Sequence, residues 1–331
     1  MIDILVSWLQ QGFKFAAVLA LAALGEMIIE KSGSLNLGTP GTMCVGAASG
    51  FISVFTYANA VADPNPVVLV LLALTVAFVS AMLMGLIYGF FTVTLRINQN
   101  VIGLIMTIFG TGLAKFLSDF FVKSDSGNVR CQEAFEVFTA KIPFLSDSLG
   151  FVSKVLFNYG FLFYLTIALA IGVALFFKRT RTGLNLRAVG ENPATADAAG
   201  IPVTRYKYLA ACAGSGLVGV AGIFCTMEFK SGAWAIADVD SIEAFGWLAV
   251  ALVIFALWKP VNLLWGSLVF GICYWAYMYL PQMLGITVST NLAQMLPYII
   301  TIIVLIVSNL RKSRENQGPA SLGMTYFRED R

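Results

Sequence analysis

Long apolar runs broken by short polar stretches set the rhythm of this chain. The runs cover Phe15–Ile29, Gly41–Ala58, Val67–Leu95, Val101–Val122, Tyr159–Phe177, Tyr208–Cys225, Ile242–Trp258, Val261–Leu280 and Leu292–Ser308. A bilayer-crossing helix needs roughly 20 mostly apolar residues. None of the runs shows the alternation of a barrel strand, and lipid leaves backbone amides no partner outside a helix. The pattern therefore predicts an all-α integral membrane protein of about nine transmembrane helices, within a range of eight to ten. The third run is long enough to tilt strongly. Residues 1–331 are expected to form a single transmembrane domain. Ahead of the first run, "MIDILVSWLQQGFKF" begins acidic and shows no small-residue cleavage site. It reads as a retained amphipathic lead-in to the first span.

Composition agrees with this picture and removes several function classes. Of the 331 residues, 58% are hydrophobic and 12% charged, against roughly 25% charged in soluble domains. A net charge of +3 gives no reason to expect a nucleic-acid partner. The absence of His excludes imidazole relays, His metal sites and Ser-His or Cys-His catalysis. Cys44, Cys212, Cys225 and Cys273 fall in or beside apolar runs as small hydrophobes, and Cys131 has no partner at motif spacing.

Loop charge then sets direction. One alternating set of connections holds Lys31, Arg96, the cluster from Lys178 to Lys207, Lys259, and a tail with Arg311, Lys312 and Arg314. The other set holds Asp63, a balanced external loop (123–157), an acidic loop with Glu228, Asp238, Asp240 and Glu243, and the uncharged "PQMLGITVST". The positive-inside rule places the first set, and the C-terminal tail 309–331, in the cytoplasm. Lipid of the inner membrane is the expected surround.

Within the cytoplasmic loop 178–207, "ENPATADAAG" spells a short helix of about two turns. Asn192 suits the cap, Pro193 the first helical position and Gly200 the exit, with Pro202 beyond. The helix is either a plain connector or a docking element. Its row of alanines favours close approach by a partner over solvation.

Several segments together resemble a known family. "TGLNLRAVGENPATADAAGIPVTRYKYLA" resembles the cytoplasmic loop of permease subunits of ATP-binding-cassette importers for ribose-type sugars and nucleosides. "TVTLRINQNVIGLIMTIFGTGL", "ALGEMIIEKSGSLNLGTPG", "GWLAVALVIFALWKP" and "GPASLGMTYFRED" resemble the nucleoside branch in the same order. One departure stands at Thr39–Pro40, where that branch often carries an acidic residue before the second glycine. The resemblance implies a ribose-permease-like (type II) transmembrane domain that hydrolyses nothing itself. It implies a second, non-identical permease, a cytoplasmic ATPase holding ATP and Mg2+, and an external binding lipoprotein. No P-loop G-x-x-x-x-G-K-[ST] is present, which agrees with ATP chemistry on another chain and no cofactor on this one. Ala194–Gly200 then becomes the coupling helix. Glu191, Asn192, Pro193 and Asp197 are its polar and capping positions, and Ala196, Ala199 and Gly200 set how close the ATPase comes.

Candidates for the transport path are fewer. "EKSGSLNLGTPG" breaks two apolar runs as discontinuous transporter helices do, and Asn36 offers hydrogen bonds to a ribose or base. Glu26, on the same helix face as Glu30, is either an inward-facing intramembrane acid or a helix-end acid reaching the interface. Asn98 and Gln99 in "RINQN" either read a base or cap the next helix. Lys115 and Asp119, four apart, are expected to pair. Gly85 and Gly89, with Gly214, Gly216, Gly219 and Gly222, mark close helix packing. Trp234, Trp247, Trp258 and Trp275 fit membrane interfaces, with base stacking as the alternative. The favoured reading is a nucleoside importer permease. The alternatives are a ribose- or galactose-type sugar permease, a stand-alone carrier, and, last, an intramembrane enzyme.

Overall fold

The computed structural model describes residues 2–122, 128–140, 158–284 and 318–327, with 295, 299 and 302 as isolated positions. Its helices are α1 (Ile2–Glu30), α2 (Thr39–Ala60), α3 (Pro66–Gly89), α4 (Gln99–Phe121), α5 (Gln132–Phe138), α6 (Phe161–Arg179), α7 (Arg181–Glu191), α8 (Pro193–Ala198), α9 (Val203–Phe224), α10 (Asp238–Phe255) and α11 (Pro260–Leu284). α3 and α9 each end in a π-helical turn, at Phe90–Thr94 and Cys225–Phe229. Strands β1 (Asn128–Arg130) and β2 (Ala233–Ala235) pair antiparallel, Val129 opposite Trp234.

Six helices among the described residues are long and apolar enough to cross a membrane: α1, α2, α3, α4, α6 and α9, the last of these and α3 counted with their π turns. α10 matches the predicted run Ile242–Trp258 but opens with Asp238 and Asp240 in its first turn. α11 matches Val261–Leu280, its apolar part being Pro260–Ala276. The predicted run Leu292–Ser308 lies almost wholly outside the described residues.

The expected N-terminal lead-in does not exist as a separate element. Ile2 through Glu30 is one continuous helix, and every residue from Phe15 to Met27 is buried. It occupies the centre, packed by α9, α11, α10 and α6. Near its start the Trp8 indole donates to Ile272 O at 2.9 Å, tying it to α11. A helix that is apolar all round belongs in the interior, which is why its moment carries no amphipathic signal. The outer helices α3, α4 and α6 instead expose Leu71, Leu83, Ile108, Phe116 and Ile171, the surface a lipid-facing helix needs.

Inner helices meet through small residues, as the glycine spacing predicts. A methyl group added to Gly25 of α1 would lie 2.4 Å from Gly214 O of α9, and one on Gly214 would lie 2.4 Å from Gly25 O. Between α2 and α9, a methyl on Gly46 would stand 2.3 Å from the Gly219 Cα. Such distances bring backbone against backbone, the source of association between apolar helices where no hydrophobic gradient exists.

At the end of the bundle that carries the two strands, polar groups satisfy one another at helix ends. Trp234 is buried, donates its indole N–H to Ser118 Oγ at 3.0 Å and stacks on Phe51 at 5.6 Å. It is therefore a core residue and not an interfacial one. Lys115 pairs with Asp240 of α10 at 2.7 Å and not with Asp119. The tertiary partner across α4 and α10 wins over the neighbour one turn along. Asp238 holds both Lys230 and the Ala235 backbone N–H, fixing β2 to the start of α10. Cys131 is buried beside this sheet, and burial pushes its thiol up, away from reactive thiolate character.

The glycine contacts make a stability test. Gly219→Ala should lower the melting temperature of the purified protein by several degrees, since overpacking costs about 1–3 kcal/mol. Gly172→Ala, where an added methyl meets nothing within 4 Å, should be neutral or slightly stabilising. Equal effects of the two substitutions would refute backbone-level packing at Gly219.

Candidate functional site

The basic end of the bundle, opposite the strands, gathers most of the residues singled out by sequence. Between α1 and α2 the chain turns at Lys31–Gly38, with Gly33 at φ +83°. Two neighbouring helices, α3 and α4, then grip the turn by its backbone. Tyr88 OH donates to Leu35 O at 2.7 Å, Gln99 Oε1 accepts from Leu35 N–H at 2.6 Å, and Thr107 Oγ1 donates to Leu37 O at 2.7 Å. Ser32, Ser34 and Asn36 are buried. The helix break predicted at "EKSGSLNLGTPG" is present, and its polar groups serve the chain itself.

Glu26 sits behind this turn, fully buried. One carboxylate oxygen accepts from the Thr39 hydroxyl and from Asn36 Nδ2 at 3.3 Å. The other has no hydrogen-bond partner among the described residues. Asn36 Oδ1 in turn accepts from Gly38 N–H at 2.9 Å, capping the approach to α2. The structure thus brings Glu26 and Asn36 together with Thr39, the position where the sequence departs from its resemblance. Glu26 faces inward and does not reach an interface. One turn further, Glu30 accepts from the Trp258 indole at 2.5 Å. Trp258 and Leu257 reach that position through two successive left-handed residues, φ +53° and +55°, at the corner between α10 and α11.

On the same end, α6 does not lead into an open loop. Thr180 caps α7 by accepting from Gly183 N–H at 3.0 Å, a helix the sequence pattern did not reveal. Asn192 then accepts from Thr195 N–H at 3.0 Å, Pro193 starts α8, and Gly200 leaves it at φ +82°. Those three local signals act where the sequence placed them. Glu191, Asn192, Ala199 and Gly200 are exposed, whereas Ala196 is buried against Val189 and Val203. Ala196 therefore seats α8 on its own bundle and does not face outward.

Residues 318–327 cross this end as a strap. Gly318 lies against the Trp258 ring, where a methyl group would approach to 3.0 Å. Ala320 N–H donates to Glu191 Oε2 at 3.4 Å, and Ser321 donates to Gly190 O through N–H at 3.1 Å and Oγ at 2.5 Å. Gly323 N–H donates to Gly33 O at 3.2 Å, and Gln99 Nε2 to Met324 O at 3.2 Å. Tyr326 OH donates to Asp197 Oδ2 at 3.0 Å, and Arg96 stands 4.9 Å from the Phe327 ring centre. Lys31 lies beneath, held below the ordinary lysine range by burial and then by Arg187, with Glu191 opposing. One short segment so joins the α1–α2 turn, the α7–α8 corner, the α10–α11 corner and the start of α4.

This geometry reassigns two candidate path residues. Asn98 caps α4, accepting from Asn100 N–H at 2.9 Å and Val101 N–H at 3.3 Å. Gln99 is buried and spends both ends of its amide on backbone of the turn and the strap. Sequence reasoning missed Tyr88, Thr107, Ser321 and Tyr326, whose hydroxyls hold this end together. Thr107, Ser321 and Tyr326 lie in segments that carry the resemblance, which gave them no role, and Tyr88 carried no signal.

The described elements can be set beside known proteins. The family of the "Branched-chain amino acid transport system / permease component" matches residues 9–305. A "Putative glucose ABC transporter permease protein" of Haloferax volcanii is 33% identical over 95% of both chains. The chain belongs to the ABC transporter permease family. A nucleoside ABC transporter permease of Lactococcus lactis is 29% identical to this permease, and a guanosine ABC transporter permease of Bacillus subtilis 30% identical, each over 88% of both chains. No solved structure matches the permease. It is a multi-pass membrane protein, and its relatives are subunits of ABC transporters.

The Glu26 cluster gives the second test. Glu26→Ala strands the Thr39 and Asn36 donors in the core, at a cost of about 1–3 kcal/mol, and should lower the melting temperature of the purified permease by several degrees. Glu26→Gln keeps shape and an acceptor and should cost less than half as much. Unchanged melting temperatures in both variants, with transport lost, would make Glu26 a substrate ligand and not a strut.

Proposed function

We propose that this chain is the membrane-spanning subunit of an ATP-driven importer of nucleosides. The observation that carries the reading is α8, a capped helix flanked by exposed Glu191, Asn192, Ala199 and Gly200 and tied by Asp197 and the strap to the α1–α2 turn. A separate cytoplasmic ATPase, supplying ATP and Mg2+ chemistry, would grip α8 from outside. Its closing motion would pass through Tyr326 and the strap to the turn at Gly33, and so to α1 at the centre of the bundle. Rigid-body tilting of packed helices is the ordinary output of such a contact.

In this reading the basic end faces the cytoplasm and the strand end faces outward, as the lysine and arginine distribution supports. A second, non-identical permease completes the path, and a binding lipoprotein delivers cargo to the outer end. Two of the three relatives above are named for nucleosides or guanosine. A simple sugar is the second reading, favoured by the relative named for glucose. Both share the ribose-like or hexose ring that hydrogen-bonding groups would recognise.

Ala199→Trp is the cleanest probe of docking, because Ala199 is exposed and outside the left-handed position at Gly200. The variant should assemble with unchanged melting temperature, lose most of its ATPase binding, and lose uptake of labelled guanosine in proteoliposomes of the whole complex. Wild-type complex should take up guanosine only with ATP. Uptake without ATP, or an Ala199→Trp complex with normal transport, would reject the reading. Uptake of glucose in place of guanosine would select the sugar permease.

A further inference from the structure

A cavity at the basic end adjoins the exit of α8 and the strap. It lies between the π turn that ends α3 and the first turn of α9, and holds about 570 Å3. Arg96, Thr204, Arg205 and Lys207 line it. Lys207 is 4% exposed and has no hydrogen-bond or ion-pair partner among the described residues. Among the described residues Asp197 is the only carboxylate in the lining, and it is engaged by the Tyr326 hydroxyl at 3.0 Å. Three cations thus share the cavity with one carboxylate that already has a donor.

An ammonium on a buried side chain, open only to the cavity and without a partner, is unfavourable, and a sequence retains it at little cost where an anion arrives from outside. The surrounding donors suit one kind of anion. Two guanidinium groups, an ammonium and a hydroxyl converge on a volume large enough for a small ligand, and forked guanidinium donors match phosphate oxygens. The backbone prepares the place. The wider π turn ends α3 with Leu95 N–H on Phe90 O, and Arg96 follows in the left-handed region at φ +56°. That turn carries Arg96 round to the side where α9 presents Arg205 and Lys207.

We propose that this cavity is an anion site that takes a phosphate group, with Lys207 as its central ligand and Arg96 and Arg205 as its flanks. The phosphate can come from the headgroup of an anionic phospholipid in the adjoining leaflet, for which basic pockets between membrane helices are suited. It can equally come from a free phosphorylated molecule. Gly200, Pro202 and Tyr326 also line the cavity, so its occupant touches the exit of α8 and the strap at once. The site stands whether the cargo is a nucleoside or a sugar.

Native mass spectrometry of the delipidated whole complex tests this, titrated separately with phosphatidylglycerol, phosphatidylcholine and ribose 5-phosphate. The wild type should hold phosphatidylglycerol or ribose 5-phosphate, whichever is the source, and discriminate against zwitterionic phosphatidylcholine. Lys207→Gln should weaken that binding roughly tenfold or more, the size expected for loss of a charged hydrogen bond. Arg205→Gln, at an exposed position, should weaken it while leaving the melting temperature unchanged, which separates binding from folding. Lys178→Gln, an exposed cation outside the cavity, should change nothing. Absence of binding by either phosphate compound would overturn the site, as would equal binding by Lys207→Gln and the wild type. A structure of the complex with an acidic ATPase side chain filling the cavity would overturn it as well.

Discussion

Where Gly25 of α1 meets Gly214 of α9, and Gly46 of α2 meets Gly219, no room remains for a single methyl group. Everything else in the molecule depends on that closeness. Apolar helices in lipid gain little from burying one another, so their association rests on van der Waals contact and complementary shape. Backbone seated against backbone cannot slide by small amounts, because packed interfaces hold discrete arrangements and do not deform continuously. The inner helices α1, α2 and α9 therefore form one stiff body, with α3, α4 and α6 as its lipid-facing coat.

In the proposed reading the stiff body needs a handle, and α8 at the basic end is placed to serve as one. α8 is exposed on one side and seated on the other by Ala196. Its carboxylate at Asp197 is held by a strap that also holds Gly190, Gly33 and Gln99. The α1–α2 turn, gripped by Tyr88, Gln99 and Thr107, passes directly into the buried Glu26–Asn36–Thr39 cluster. Force applied at α8 thus meets no loose joint before the central helix. Each bond on this route is modest, about 0.5–1.5 kcal/mol net. Their number and their shared anchor points make the route rigid.

Much of this was legible along the chain, and what was legible was local. Asn192, Pro193 and Gly200 define α8 within nine residues, because caps and exits depend on near neighbours. The break at "EKSGSLNLGTPG" and the close-packed glycines were equally visible. Hidden parts were those settled by distant partners. Lys115 found Asp240 and not Asp119, and Gln99 found the backbone of Leu35 and Met324 and not a ligand. The N-terminal residues, polar enough to suggest a lead-in, continue α1 because α11 offers Ile272 O to Trp8. No spacing rule could show that the tail lies across the basic end, since most of the groups it offers there are backbone amides and carbonyls that every residue carries.

Rigidity between α8 and the strap is the claim most directly open to measurement. Spin labels at Met324 and at exposed Thr195 of α8, which is not one of the docking positions, with a second pair at Thr195 and Val67 near the opposite end of α3, report distances by pulsed electron resonance in the assembled transporter. Between nucleotide-free and ATP-trapped states the Thr195–Met324 distance should stay constant within about 2 Å, the displacement that separates rigid from rearranging interfaces. A change of several ångströms in both pairs would mean that α8 moves on its own and that the strap transmits nothing.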